Sequence, residues 1–160
     1  MEPRLQALKA LLDALGVGAE ISTVADRKRI QKAVYLGQRA GANLGYRFGW
    51  YVRGPYSPPL ADAYYALANA LAMGDEPPAE LRLNPNLATP LKKLLPVLKP
   101  PEGITLSQED WLELLASWDY LLAVSKATPE AAVEKLKREK PLLAPMVENA
   151  VDARAQAGLE

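Results

Sequence analysis

The sequence predicts a mainly α-helical (α+β) protein with one small antiparallel sheet or hairpin. Apolar residues recur at helical spacing in several separate segments. Serine or threonine stands at the N-cap position before four of these segments, at Thr23, Ser57, Ser107 and Thr128. Only residues 46–52 alternate in polarity as a half-buried strand does. We therefore expect six or seven helices and one sheet, a pattern that a winged-helix-like core would satisfy.

The first two helices are indicated by their apolar stripes and their ends. Residues 4–15 place five leucines on one stripe, and Gly16 ends that helix. The second helix begins at Thr23, which has the spacing of a capping box with Asp26, and it ends near Gly41. Its apolar face comprises Ile30, Ala33, Val34 and Gly37. Its opposite, polar face comprises Lys28, Lys32, Tyr35 and Arg39.

A strand and a corner motif follow the second helix. Alternation over residues 46–52 predicts the main strand, and residues 80–83 are a candidate partner strand. The corner motif is Gly54, Pro55, Tyr56 and Ser57. In this motif the glycine supplies backbone freedom, the proline stiffens the turn, the tyrosine plugs or lines it, and the serine caps the next helix. That third helix should extend to about residue 73.

The second half of the chain is predicted to be helical throughout. Two prolines disturb a helical stretch at 87–98, and residues 99–103 read as a linker. Residues 108–125 form a very apolar helix, capped by Ser107 and Asp110, that should be central or buried at an interface. Two further helices follow, one to Glu139 and one from residue 142 or 146. We divide the chain into a core, 1–100, and a helical extension, 101–160, packed on it within one structural domain.

Composition excludes several classes of protein. The 160 residues include no cysteine and no histidine, which removes disulfides, thiolate catalysis, Ser-His-Asp triads and the common zinc sites. No cofactor or metal is predicted. No run approaches the 18 or so apolar residues of a membrane span, and the acidic, amphipathic N-terminus does not read as a signal peptide. We therefore expect a cytoplasmic protein without a membrane partner, and its composition would suit a thermophile.

Charge is unevenly distributed although the net charge is zero. Between Asp26 and Asp62 there are seven basic residues and no acid, giving +7. Residues 102–160 carry eleven acids and six bases, giving −5. Either the basic segment faces a polyanion, or the two segments neutralise each other inside the fold. We favour the second interpretation because the protein is not basic overall.

The basic segment also supplies the candidate functional surface. Lysine and arginine interleaved with aromatic rings are typical of a nucleic-acid or partner surface. The candidate residues are Lys28, Lys32, Tyr35, Arg39, Arg47, Tyr51 and Arg53. The competing interpretation is that those on helix 27–39 are simply the solvent side of an amphipathic helix.

Three other patterns are better explained by structure than by chemistry. Glycines recur at every fourth position from Gly37 to Gly49, but no phosphate-loop Gly-Lys-Ser/Thr follows. Ser57 has no histidine to activate it and has the spacing of an N-cap. The acids Asp110, Glu113 and Asp119 read as a solvated helix flank rather than a catalytic pair or a hard-metal site.

The segment "DRKRIQKAVYLGQRAG…GYRFGWYVRGPYSPPL" resembles the signature of YwgA-like uncharacterised proteins and of Panacea or SocA-like antitoxin domains. The resemblance covers about residues 26–72 and is carried by a basic helix, an aromatic strand and the "GPYS" corner. The matching positions are Arg29, Ile30, Gln31, Lys32, Tyr35, Leu36, Tyr46, Phe48, Trp50, Gly54, Pro55, Tyr56, Ser57 and Leu60. It implies an antitoxin-like or adaptor-like role in binding other proteins.

The sequence therefore favours a non-enzymatic protein-interaction or regulatory module, whose partner is a toxin, another protein or a second copy as a homodimer. The alternative is a DNA- or RNA-binding regulator that uses the basic helix 27–39. A third reading, an enzyme that relies on carboxylates and tyrosine, would need a deep pocket with convergent acids, which no spacing here indicates.

Overall fold

The computed structural model describes residues 1–160 and contains seven α-helices and one two-stranded antiparallel sheet. The helices are α1 (Pro3–Leu15), α2 (Val24–Arg39), α3 (Pro58–Ala72), α4 (Ala88–Leu94), α5 (Gln108–Ala123), α6 (Pro129–Glu139) and α7 (Val147–Gln156). The strands are β1 (Gly49–Tyr51) and β2 (Gly54–Tyr56), with Gly49 opposite Tyr56. The predicted fold class is confirmed. None of the helices has the length and apolarity needed to cross a membrane.

The predicted helix starts are present because side chains satisfy free backbone N–H groups. Thr23 accepts a hydrogen bond from the Asp26 N–H at 3.0 Å, and Asp26 accepts one from the Thr23 N–H at 3.2 Å, which completes the capping box. Ser57 caps α3 by accepting from the Leu60 N–H at 3.3 Å. Ser107 caps α5 in the same way, but no return bond from Asp110 forms, since that carboxylate pairs with a lysine of α2.

Helix α5 lies at the centre of the molecule. Eleven consecutive residues, from Trp111 to Leu121, are buried, so the helix is covered on all sides by α2, α6, α7 and β2. One cluster of 38 buried hydrophobic residues draws on both 1–100 and 101–160. The prediction of a central helix is confirmed. Complete burial also forces the polar residues of α5 inside, where each needs a partner.

The sheet differs from the sequence prediction. Only Gly49–Tyr51 forms a strand in the 46–52 segment, and it pairs with the corner motif rather than with residues 80–83. The two-residue turn at Val52 and Arg53 brings β2 directly back along β1, so the nearest available backbone becomes the partner. Residues 80–83 form no strand, and the Arg82 guanidinium donates locally to the Ala79 and Leu81 carbonyls.

Candidate binding cleft

A cleft of about 340 Å³ lies between α2, the hairpin and α3. Its lining side chains are mainly of two kinds, and none is acidic. The tyrosines are Tyr51, Tyr56, Tyr64 and Tyr65, and the cations are Arg27, Lys28, Lys32 and Arg53. Val24, Gln31 and Val52 complete the lining. We call this feature the tyrosine cleft.

The rim of the tyrosine cleft is unusually apolar for an exposed surface. Val52 at the hairpin turn is 92% exposed, and Val24, Tyr51 and Tyr65 are about half exposed. These are four of the eight large hydrophobic side chains that the protein leaves exposed, and they meet at one place. Single exposed hydrophobic residues are common, whereas a cluster next to a cleft indicates a contact site.

Two side chains of α2 hold the corner motif beneath the cleft. The Gln31 side-chain amide donates to the Ser57 carbonyl and accepts from the Ser57 N–H, both at 2.9 Å. The Lys32 ammonium donates to the Pro55 carbonyl at 2.6 Å. Gln31 and Lys32 thus satisfy backbone polar groups of Pro55 and Ser57 for which the two-stranded sheet offers no third strand. The predicted corner role of the motif is supported, with Pro55 lying in β2 rather than in a turn.

On its other side the corner motif lies against α5. Gly54 has a positive φ of 87°, and a side chain there would overlap the Ser117 hydroxyl. A glycine is therefore needed at this position both for the backbone conformation and for close packing. Ser117 itself is fully buried, and its hydroxyl oxygen has no hydrogen-bond partner.

A chain of charges continues from the cleft into the protein. The Lys28 ammonium pairs with Asp110 at 2.7 Å and also with Glu113. The second oxygen of Glu113 pairs with the Lys140 ammonium at 2.7 Å, and Lys140 also donates to the Val52 carbonyl at 2.9 Å. One buried carboxylate is therefore shared by two lysines, and one of these lysines holds the hairpin turn that forms the cleft rim.

Lys32 has the most perturbed environment in the cleft. Burial, which penalises the charged form, lowers the pKa of Lys32 from 10.5 to about 7. Glu113 opposes this pKa shift, while Lys140, Lys28 and Arg53 add to it. The Lys32 amine therefore loses its proton at a lower pH than an ordinary lysine does, and either form can donate to the Pro55 carbonyl.

Because Lys32 is buried, we expect the free energy of unfolding to depend on pH, and we expect Lys32→Met to remove that dependence. Below the folded pKa of about 7, Lys32 is protonated in both states, and the cost of burying its charge is fully present. Between about 7 and 10.5 only the unfolded chain binds the proton, so stability should rise with pH by up to about 1.4 kcal/mol per pH unit. Urea unfolding at about pH 7.5, 8.5 and 9.5 measures this slope in both proteins.

The variant Lys92→Met is the matched control, since Lys92 is exposed. It should keep the slope of the unaltered protein. If the Lys32→Met and unaltered proteins gained stability in parallel over this pH range, Lys32 would not carry the burial penalty assigned to it.

A second buried cluster surrounds Asp119 at the C-terminal half of α5. Its carboxylate is fully buried and accepts from the Tyr35 hydroxyl, the Arg39 guanidinium and the Arg154 guanidinium, each at 2.7 Å. Arg39 also donates to the Leu159 carbonyl at 2.7 Å. Burial raises the pKa of Tyr35 well above its ordinary value, so its hydroxyl remains a donor. The Asp119 cluster thus joins α2, α5 and α7.

The residues predicted to form one functional surface do not lie together on one surface. Lys32 and Tyr35 are buried, and Lys28 and Arg39 are held in ion pairs with α5, so the interpretation that this face of α2 is simply its solvent side is wrong. The reason is that α5 presents Asp110, Glu113 and Asp119 to the same face. The interpretation that the basic and acidic segments neutralise each other holds for these pairs and for Arg29 with Glu109 at 3.0 Å, but not for Arg27 and Arg53, which form no ion pair.

The remaining predicted residues lie in different places. Tyr51 and Arg53 line the tyrosine cleft, together with parts of Lys28 and Lys32. Arg47 is exposed but does not line the cleft. The prediction that Asp110, Glu113 and Asp119 form a solvated flank is wrong, because Glu113 and Asp119 are buried. No group of three or more acidic side chains is arranged to hold a metal ion.

Sequence reasoning missed several contributors to the cleft. Arg27, Tyr64 and Tyr65 were not predicted as site residues, and neither Gln31 nor Lys140 was recognised as a support of the hairpin. Gln31 and Lys32 do lie within the segment that resembles known families, which is the one signal that could have found them. Lys140 is the last residue of the charged run 134–140 and carries no such signal.

Comparisons with protein-family models, with curated proteins and with solved structures found no match to this chain.

Proposed function

We propose that this protein is a non-enzymatic interaction module whose tyrosine cleft binds an acidic segment of a partner protein. The observation that carries the proposal is the composition of the cleft. Four tyrosines and four cations line it without a single acid, and four exposed apolar side chains surround it. Such a surface favours a ligand that carries both negative charge and apolar or aromatic side chains.

Two of the cations are free to meet a partner carboxylate. Arg53 forms no ion pair, and Arg27 donates only to the Ile21 carbonyl, at 2.7 Å. Guanidinium groups bind carboxylates in a bidentate geometry that is stronger than a neutral hydrogen bond. By contrast, the charge of Lys28 is already balanced by Asp110 and Glu113. Recognition of the partner's charge therefore rests on Arg27 and Arg53.

The tyrosines supply the apolar part of the site. Tyr51 and Tyr56 meet edge to face with ring centroids 5.1 Å apart, and Tyr64 and Tyr65 are 5.2 Å apart. Rings that are already packed against each other lose little conformational freedom when a ligand binds. An aromatic or aliphatic side chain of the partner can therefore be inserted between the two pairs as an anchor.

The resemblance to YwgA-like and Panacea or SocA-like proteins supports the same proposal. The corner motif on which that resemblance rests is the element that Gln31 and Lys32 hold at the base of the cleft. A relation to these groups, and with it an antitoxin-like or adaptor-like role, is part of the proposal.

A nucleic-acid ligand is the second candidate, because tyrosines next to free arginines can also stack and pair with a single strand. The buried state of the α2 polar face argues against it. Lys28 and Arg39 are paired with carboxylates of α5, which leaves few free cations to contact successive phosphates of a nucleic acid. A recognition-helix role for residues 27–39 would require those charges to be free.

A binding experiment with three labelled probes tests the proposal. The probes are a short peptide of glutamates around one tryptophan, the same peptide with glutamine for glutamate, and oligo-dT. Fluorescence anisotropy should show the acidic peptide binding most tightly at about 50 mM salt. Arg27→Gln with Arg53→Gln should weaken that binding about tenfold or more, because both free guanidiniums are lost.

Arg47→Gln with Lys92→Gln is the matched control, since it removes the same charge from exposed positions outside the cleft. It should change the affinity for the acidic peptide by less than about twofold. Equal weakening by both double variants, or equal binding of the acidic and glutamine peptides, would refute the site. Tighter, steeply salt-dependent binding of oligo-dT would replace the protein partner with a nucleic acid.

A further inference from the structure

A second groove, of about 590 Å³, has the opposite charge to the tyrosine cleft. It is formed by α6, α7 and the last turns of α5. Its floor includes Trp118, Leu122, Val133 and Val151, and the acids that line it are Glu130, Glu134, Glu148 and Glu160. We call this feature the acidic groove.

The negative charge of the acidic groove is not neutralised within the protein. Arg154 is the one base that lines it, and its guanidinium is held by Asp119 at 2.7 Å. Glu130 and Glu148 form no ion pair, whereas Glu134 meets Lys137 at 3.7 Å in an exposed pair. Exposed pairs of this kind contribute little, so the groove remains available to an external cation.

Trp118 provides a second, independent observation on the acidic groove. The other two tryptophans donate their indole N–H groups, Trp50 to Glu139 at 3.0 Å and Trp111 to the Val97 carbonyl at 2.8 Å. Trp118 is only 4% exposed and lines the groove, yet its N–H donates to no group of the protein.

That N–H is also not sealed inside the protein. The fully enclosed polar side-chain atoms without a partner are Arg29 Nε and Ser117 Oγ, and Trp118 Nε1 is not among them. The indole N–H is therefore accessible from outside, and the ring that carries it lines the acidic groove. Water can accept from an N–H that reaches the surface, and a ligand carbonyl can take the place of that water.

We propose that the acidic groove docks a lysine- or arginine-rich amphipathic segment of another protein. Its apolar side chains lie on Leu122, Val133 and Val151, its cations face the glutamates, and one backbone carbonyl accepts the Trp118 indole N–H. Helices α6 and α7, of 11 and 10 residues, are about 15 Å long, which matches about three turns of a docked helix. Charge complementarity selects this occupant, since nucleic acids and acidic segments are repelled.

The indole N–H gives a direct readout of docking. In a ¹H–¹⁵N spectrum the protein should give three indole resonances, one for each tryptophan, and Trp118→Phe would identify that of Trp118. The probe is a 14-residue amphipathic peptide with leucines on one face and lysines on the flanks. We expect it to shift the Trp118 indole resonance downfield, as a new hydrogen bond does, and to leave those of Trp50 and Trp111 nearly unchanged.

Two charge variants test the role of the glutamates without depending on Trp118. Glu130→Gln with Glu148→Gln should weaken binding of the basic peptide about tenfold, because two unpaired carboxylates are lost. Glu76→Gln with Glu80→Gln, at exposed positions outside the groove, should change it by less than about twofold. The cleft variant Arg27→Gln with Arg53→Gln should leave it unchanged, which separates this site from the tyrosine cleft.

Three outcomes would overturn the proposal. The first is an equal shift of the Trp118 resonance by a peptide with the same leucines and glutamates in place of lysines. The second is that the basic peptide binds the double variant of Glu130 and Glu148 as tightly as it binds the double variant of Glu76 and Glu80. The third is a Trp118 resonance that moves with protein concentration alone, which would make the occupant a second copy of this chain.

Discussion

Replacing Gly54 with alanine is expected to lower the free energy of unfolding by about 2–5 kcal/mol. Two costs add at this position. A non-glycine residue at φ 87° is strained by about 1–2 kcal/mol, and the new methyl group would overlap the Ser117 hydroxyl in a packed interior. Relieving that overlap must move β2 away from α5, which costs about a further 1–3 kcal/mol. Urea unfolding monitored by circular dichroism measures the loss.

Ser117→Ala allows the two costs to be separated. Alone it should be neutral or slightly stabilising, because the Ser117 hydroxyl is buried without a partner. Combined with Gly54→Ala it should recover the packing part of the loss and leave the backbone part. A double variant as unstable as Gly54→Ala would show that contact with Ser117 is not what requires a glycine here.

Asp119→Ala is expected to cost about 3–5 kcal/mol, the range for removing one partner of a buried ion pair. The carboxylate is fully buried and serves Tyr35, Arg39 and Arg154, so its loss leaves two guanidinium groups without a counter-charge. Those two side chains are partly solvated, which should keep the loss toward the lower end of the range. Chemical unfolding gives the value directly.

The matched comparison is Asp13→Ala, which removes an exposed carboxylate paired with Lys9 at 2.7 Å. It should cost about 0–1 kcal/mol. Tyr35→Phe, which removes one hydrogen bond to the Asp119 cluster, should cost about 0.5–1.5 kcal/mol plus any cost of leaving Asp119 less satisfied. If Asp119→Ala were no more harmful than Asp13→Ala, the cluster would not join α2, α5 and α7 energetically.

Features that depend on neighbouring residues could be predicted from the sequence. The caps at Thr23, Ser57, Ser107 and Thr128 need only a hydroxyl three positions before a free N–H, and all four are present. The central position of α5 follows from apolar residues that cover more than one of its faces, whereas the burial of Glu113 and Asp119 was not predicted. The corner role of residues 54–57 follows from the Gly-Pro-Tyr-Ser motif itself, although Gly54 begins β2 and the turn lies at Val52 and Arg53.

Features that depend on contacts between distant segments could not be predicted in the same way. A helical wheel assigns Lys32 and Tyr35 to solvent because it cannot show that α5 brings Glu113 and Asp119 to that face. Either charged face, viewed alone, is an ordinary solvated surface. The overall charge imbalance, +7 against −5, did indicate that the two segments meet, but it could not specify the pairs.

The tyrosine cleft was predicted only in part for a related reason. Tyr51 and Arg53 were identified because they belong to the basic, aromatic segment. Tyr64 and Tyr65 lie on α3, outside the basic, aromatic segment, and the sequence does not show that α3 packs beside the hairpin. Arg27 is one of three consecutive basic residues, and the sequence alone does not show that it lacks a carboxylate partner. A cleft between three elements becomes visible only when those elements are placed together.

The central claim, that the tyrosine cleft is a binding site for an acidic partner segment, is tested most directly by chemical-shift mapping. The ¹⁵N-labelled protein is titrated with the peptide of glutamates around one tryptophan, and backbone amide shifts are compared along the chain. The cleft account predicts the largest shifts at residues 24–32, 51–56 and 64–65, with little change in α7. Shifts centred on α6 and α7, or spread evenly over the surface, would contradict it.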